Sequence, residues 1–179
     1  IRDSIRTMTM MFTQPPASLR RVSILAIDKV FASTLMQAKD FFHLASLRYS
    51  KQLGLGLQPM FEIRLVSPDG QPVDSFSNVQ LPVDGGLDDA DVIILPAYWD
   101  DFDNLLQRYP QVLPWLRDQH ARGAVLCAEA SGVFWLAESG LLDGKEATTY
   151  WRFFNSFAER FPKIRLNQDK HLTDADNIY

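Results

Sequence analysis

At 179 residues, 46% of them hydrophobic and 12% aromatic, the chain has the size and composition of one globular domain, which excludes wholesale disorder and leaves no room for two comfortable domains. A formal net charge of −4 gives no attraction to phosphate backbones, so these residues are not expected to grip nucleic acid by themselves. The single cysteine, Cys127, cannot close an intrachain disulfide and favours a reducing, cytoplasmic setting, and no apolar run approaches the ~18 residues of a membrane span.

In chain order, residues 1–21 carry arginines and methionines without a continuous apolar stretch, so an amino-terminal arm rather than a signal peptide is expected there. The domain proper then spans 22–179. "RVSILAI" (21–27) is a short apolar run that reads as a strand. Val30, Phe31, Thr34, Leu35, Ala38, Phe41, Phe42 and Ala45 follow at spacings of three and four, the stripe of an amphipathic helix. "LGLGL" (53–57) breaks the chain before a second strand, "MFEIRLVS" (60–67). The Asp69-Gly70 pair signals a turn, and a small antiparallel hairpin is expected through 73–83. The acidic run 88–91 reads as a solvated edge before a buried strand, Val92 to Leu95, that Pro96 ends.

Residues 102–122 have helical character but contain Pro110 and Pro114, which splits them into a short helix and a second one through Arg122. A strand (124–128) then runs into a helix (Ser131 to Ser139). Further on, "ATTYW" (147–151) reads as a strand, "RFFNSFAERF" (152–161) as a helix and "KIRLN" (163–167) as a strand, with additional strands at "HLTD" and "NIY". Alternating strands and helices imply βαβ units around a mainly parallel sheet. Ligands of such sheets bind beyond the carboxyl ends of the strands.

One of those ends carries the pattern of a nucleophile elbow, a tight strand-turn-helix whose flanking positions must be small. Ala128 and Gly132 are the small flanks, and the centre between them is Ala130, which can attack nothing. Cys127 lies inside the strand, where burial leaves a thiol inert. Ser131 as centre would place Glu129 and Val133 at the flanks, so its hydroxyl is better read as a helix cap or a pocket group. His43, His120 and His171 are not placed to serve as a base after the elbow strand. Metal-binding and phosphate-binding spacings are absent, so no metal and no cofactor is expected.

The stretch "GAVLCAEASGVFWLAESGLLDGKEATTYWRF" (123–153) resembles the ThiJ/PfpI branch of the class I glutamine amidotransferase-like superfamily. Within it, the likeness is to the sensor domains at the amino end of AraC-type transcriptional regulators. "FEIRLVSPDGQPVDS", "LPVDGGLDDADVIILP" and "RFPKIRLNQD" are similar to neighbouring family segments, so the likeness runs from about Val22 to the end. The resemblance implies a flavodoxin-like three-layer α/β sandwich. It also implies that the family's cysteine falls on Ala130, its histidine on Tyr150, its glycine pair on Ala97 and Tyr98, and an acidic residue of the first helix on Thr34. Losing nucleophile, histidine and oxyanion loop together removes the family's hydrolytic chemistry.

The expectation is therefore a non-catalytic, ligand-sensing and dimerising domain of an AraC-type regulator, with DNA bound only through a carboxyl-terminal part missing after Tyr179. The expected lining of the sensing site is Asp28, Tyr98, Trp99, Glu129, Ala130, Ser131 and Tyr150, facing a zwitterionic amino acid or betaine-like effector. Two other readings stand beside it: a free-standing ThiJ/PfpI-type enzyme using Ser131 or Glu129, and a dimeric interaction module without a ligand.

Overall fold

A computed structural model describes residues 19–54, 56 and 58–179; the expected arm lies outside these residues except for its last three. In chain order, β1 (Arg20–Leu25) leads to α1 (Ala32–Gln52) and β2 (Phe61–Val66). The short strands β3 (Val73–Asp74) and β4 (Gln80–Leu81) precede β5 (Val92–Leu95), followed by α2 (Phe102–Arg108) and α3 (Val112–Ala121). Then β6 (Val125–Ala128) enters a 3-10 turn (Ala130–Gly132) and α4 (Val133–Glu138). After β7 (Glu146–Ala147), a second 3-10 turn (Trp151–Phe153) opens α5 (Phe154–Arg160), and β8 (Arg165–Leu166) ends the series.

The central sheet is wholly parallel, in the order β2-β1-β5-β6. Strands buried on both faces read as continuous apolar runs, and Val22, Ile24, Ile93, Leu95 and Leu126 are fully buried accordingly. β3 and β4 form the expected antiparallel hairpin. This is the flavodoxin-like α/β fold implied by the resemblance.

Several local expectations need correction. On α1, Leu35 and Ala38 are buried and Phe42 packs edge-on against Phe61, but Phe41 is 60% exposed and Ala45 also faces solvent. Ser46 and Ser50 take the inward positions because they serve the following loop: the Ser46 hydroxyl accepts the Met60 N–H, and Ser50 donates to the Gly56 carbonyl. The strand expected over 147–151 stops at Ala147, where its pairing with β8 ends, and the helix expected from 152 begins at Phe154. "HLTD" is not a strand, whereas Ile178 bridges Leu126 and Tyr179 donates to the Leu126 carbonyl, so "NIY" runs beside β6.

The acidic run is more than a solvated edge. Asp88 pairs with Arg64 and accepts from the Ser23 hydroxyl, Asp89 pairs with Arg122, and Asp91 accepts the Arg21 N–H. These carboxylates pin the neighbouring strands and α3 to one another.

Candidate functional site

The elbow begins where β6, paired in parallel beside β5 as far as Ala128, leaves the sheet. Glu129 donates its N–H to the Leu95 carbonyl, 3.0 Å, as the chain leaves the sheet. Ala130 then adopts φ 48°, the left-handed conformation that a residue with a Cβ takes only at a cost. Gly132 lies so close to β5 that a Cβ there would run into the Leu95 carbonyl oxygen. The strained geometry of a nucleophile elbow is thus kept, with an exposed methyl group at its centre.

Ser131 is buried, and both bonding capacities of its hydroxyl are used by one residue. It accepts the Tyr98 N–H at 2.9 Å and donates to the Tyr98 carbonyl at 2.8 Å. Ser131 therefore bolts the start of the elbow helix to the end of β5. The same bond occupies the Tyr98 amide, one of the two positions on which the resemblance puts the family's glycine pair. The neighbouring backbone is equally committed: the Ala97 carbonyl accepts from Phe31 and the Trp99 amide donates to Lys29.

The other expected site residues separate. Asp28 is locked into the scaffold, accepting from the Asp74 amide and the Tyr109 hydroxyl and pairing with Arg108 at 2.6 Å. Burial, and then the bond to Asp28, pushes the Tyr109 phenol up to about 12. Burial likewise raises the Glu129 carboxyl above its usual range. Burial and then the Glu129 charge push the Cys127 thiol up to about 12. Tyr150 is 43% exposed, with its ring against Trp151 and Phe153. Thr34 donates to the Phe31 carbonyl within its own first turn. His120 bonds the Asp176 carbonyl, while His43 and His171 are on the surface. Among the described residues no cluster of His, Cys, Asp or Glu could hold a metal ion.

An open groove of about 790 Å³ lies beside the elbow and takes in Tyr98, Trp99 and Ser131 from the expected set. Asp28, Glu129, Ala130 and Tyr150 are outside its lining. One wall is the loop from Tyr98 to Asp101 with the first turn of α2; the other is a strip of the 3-10 turn and α5 bearing Arg152, Ser156 and Glu159. Phe134 of α4 closes the floor.

At one end, Arg160 bridges Asp103 of α2 (2.8 Å) and Glu138 of α4 (3.0 Å) and lies over the Phe102 ring. At the other, Arg152 stacks over the Trp99 indole at 5.4 Å. The Tyr98 side chain, 3% exposed, is stacked on Phe102, and its buried hydroxyl has no hydrogen-bond partner among the described residues. Burial raises that phenol far above its usual range, so it stays protonated.

Sequence reasoning missed Ser156 and Glu159 of this second wall. The i, i+4, i+7 spacing of Arg152, Ser156 and Glu159 was a usable signal, since it puts three polar groups on one helix face.

Comparison with known proteins places this geometry among relatives. The DJ-1/PfpI family profile matches residues 54–172. The transcriptional regulator CdhR of Pseudomonas aeruginosa is 30% identical over 122 residues, 66% of this chain and 35% of that protein. The regulator ArgR of the same organism is 48% identical over 56 residues, 31% of this chain and 17% of that protein. Both are HTH-type regulators, and the chain spans about a third of the one and about a sixth of the other. An AraC family transcriptional regulator from Pseudomonas putida shares the fold, with a TM-score of 0.71 at 20% identity over 89% of this chain and 81% of that one. Among the described residues no helix is long and apolar enough to cross a membrane.

Proposed function

The chain belongs to the DJ-1/PfpI family, and from that premise we propose that it is the effector-sensing, non-catalytic part of an AraC-type transcriptional regulator acting in the cytoplasm. Residues 22–179 form the regulatory unit, preceded by the arm 1–21, and DNA is bound by a separate helix-turn-helix part. The unit forms a homodimer, because regulators that read paired half-sites take their two-fold symmetry from the protein. The likeness to HTH-type and AraC-type regulators supports this reading.

The observation that carries the reading is the elbow. Its strained backbone is intact around Ala130, but no nucleophile stands there, and Ser131 consumes the Tyr98 amide that a developing oxyanion would need. The competing enzyme reading needs the Ser131 hydroxyl free, and both of its bonds go to Tyr98. What the site offers instead is recognition. An amino acid or betaine-like zwitterion suits the groove that takes in Tyr98, Trp99 and Ser131.

The test is a thermal-shift screen of the purified chain against amino acids, betaines and polyamines, run beside amidase, protease and hydratase assays. A ligand present at 100 times its Kd should stabilise the fold by about 2.7 kcal/mol. Turnover that disappears in a Ser131→Ala variant would overturn the non-catalytic reading. A screen without a single hit would favour a plugged site and an interaction module.

A further inference from the structure

The groove between the β5–α2 loop and α5 contains charges of both signs that the fold itself does not use. The Asp103–Arg160–Glu138 set is closed on itself. Asp101 spends a carboxylate oxygen on capping α2, and Asp100 accepts the Asp101 amide. Arg152 and Glu159 differ: no ion pair holds either among the described residues, and the Arg152 guanidinium has only its stacking on Trp99. Stacking occupies the face of a guanidinium and leaves its N–H edge free for a carboxylate.

These two residues are seven positions apart on one strip, Arg152 in the 3-10 turn and Glu159 in α5, and rises of about 2.0 and about 1.5 Å per residue separate their backbones by roughly 11 Å. Between them lie Phe153 and Phe134, an apolar surface for an aliphatic stem. The buried Tyr98 hydroxyl is the third element. Tyr98 lines the groove, and its unpartnered hydroxyl is buried beside it. A buried hydroxyl without a partner is costly, and native structures retain one where something else supplies the bond.

From these placements we propose that the groove binds an ω-amino (or guanidino) carboxylic acid, with the carboxylate on Arg152, the cationic end on Glu159, and the Tyr98 hydroxyl as the buried reader of its polar end. This rests on the sensing reading above and narrows it, because an α-zwitterion or glycine betaine is too short to meet both charges. Tyr98 is then a specificity-determining residue, since a site with a buried hydrogen-bonding group rejects a ligand that leaves that group unpaired.

The experiment uses 6-aminohexanoate as the probe, with hexanoate and hexylamine as single-charge controls, read by thermal shift and calorimetry on the whole 179-residue chain. The expected result is a shift with 6-aminohexanoate and none with either control at the same concentration. Arg152→Gln and Glu159→Gln should each weaken binding about tenfold or more, as loss of a charge-assisted contact does. The charge-swapped double variant, Arg152→Glu with Glu159→Arg, should recover much of it by taking the probe in the reverse direction. Tyr98→Phe should melt no lower than the parent without ligand, yet bind the probe more weakly, a split that a purely structural tyrosine would not produce. No shift with 6-aminohexanoate, or equal shifts with hexanoate, overturns the proposal. Binding of glycine betaine or an α-amino acid that is indifferent to the Arg152 and Glu159 variants also overturns it while leaving the sensing reading standing.

Discussion

Ser131 shows how a single hydroxyl decides what the elbow can do. Removing it leaves the Tyr98 N–H and carbonyl buried without partners, so Ser131→Ala should cost about 1–3 kcal/mol for each unpaired group, read as a lower denaturation midpoint. Ala130 offers the complementary test. A thiol at this exposed, left-handed position should be alkylated by iodoacetamide near neutral pH in Ala130→Cys, while the parent chain, with only Cys127, resists. The unlabelled Ala130→Cys variant should still show no ester hydrolysis, because the Tyr98 amide stays occupied and Tyr150 cannot replace a histidine as base.

Cys127 also sets a pH dependence. Its thiol is near 12 in the folded chain against about 8.5 when unfolded, so the neutral form is favoured by folding. The contribution is complete below the unfolded value and is lost as pH rises through the folded one. Chemical denaturation from pH 7 to 10 should therefore show the parent losing more stability than Cys127→Ala.

Among the elements, α2 matters most because its first turn is a wall of the groove. Asp101 caps it, accepting from the Asp103 and Asn104 amides at 2.9 and 3.2 Å. Asp101→Ala should lower stability by about 1 kcal/mol, and because Asp103 is held by Arg160 it should also loosen the Arg160 bridge to α4. α1 teaches a different lesson. Its apolar spacing identified a helix, but Phe41 and Leu44 lie outward at 60% and 61% exposure while Ser46 and Ser50 lie inward. A periodicity reading weighs hydrophobicity alone. It cannot see that two serines are needed to satisfy the loop that returns to β2.

For the molecule as a whole, two expectations follow from its proposed place in a regulator. The monomer mass is 20.4 kDa, so light scattering at tens of micromolar should read about twice that value. A monomer mass would remove the dimer from the proposal. With a net charge of −4, these residues alone should give no salt-sensitive, sequence-specific gel shift with DNA. Such a shift would place a DNA-binding surface within the domain.

The amino-acid sequence by itself determined the parallel sheet, the hairpin, the break between helices at Pro110, and the absence of a nucleophile at Ala130. These are local or periodic properties: apolar runs, turn residues and a side chain's own chemistry. The family resemblance, too, was legible in the Gly-Leu-Leu-Asp-Gly and Ala-Thr-Thr-Tyr-Trp spacing. Only the tertiary structure decided how the polar groups were spent. Asp28 had the right residue type for a ligand contact, but Tyr109, 81 positions away, and Arg108 claim its carboxylate. Glu159 drew no notice in the sequence, yet α5 and the 3-10 turn before it set Glu159 and Arg152 along the groove that Trp99 and Tyr98 also line. A charge becomes a site only when no other group in the fold neutralises it, and which groups meet is set by contacts between residues far apart in the chain.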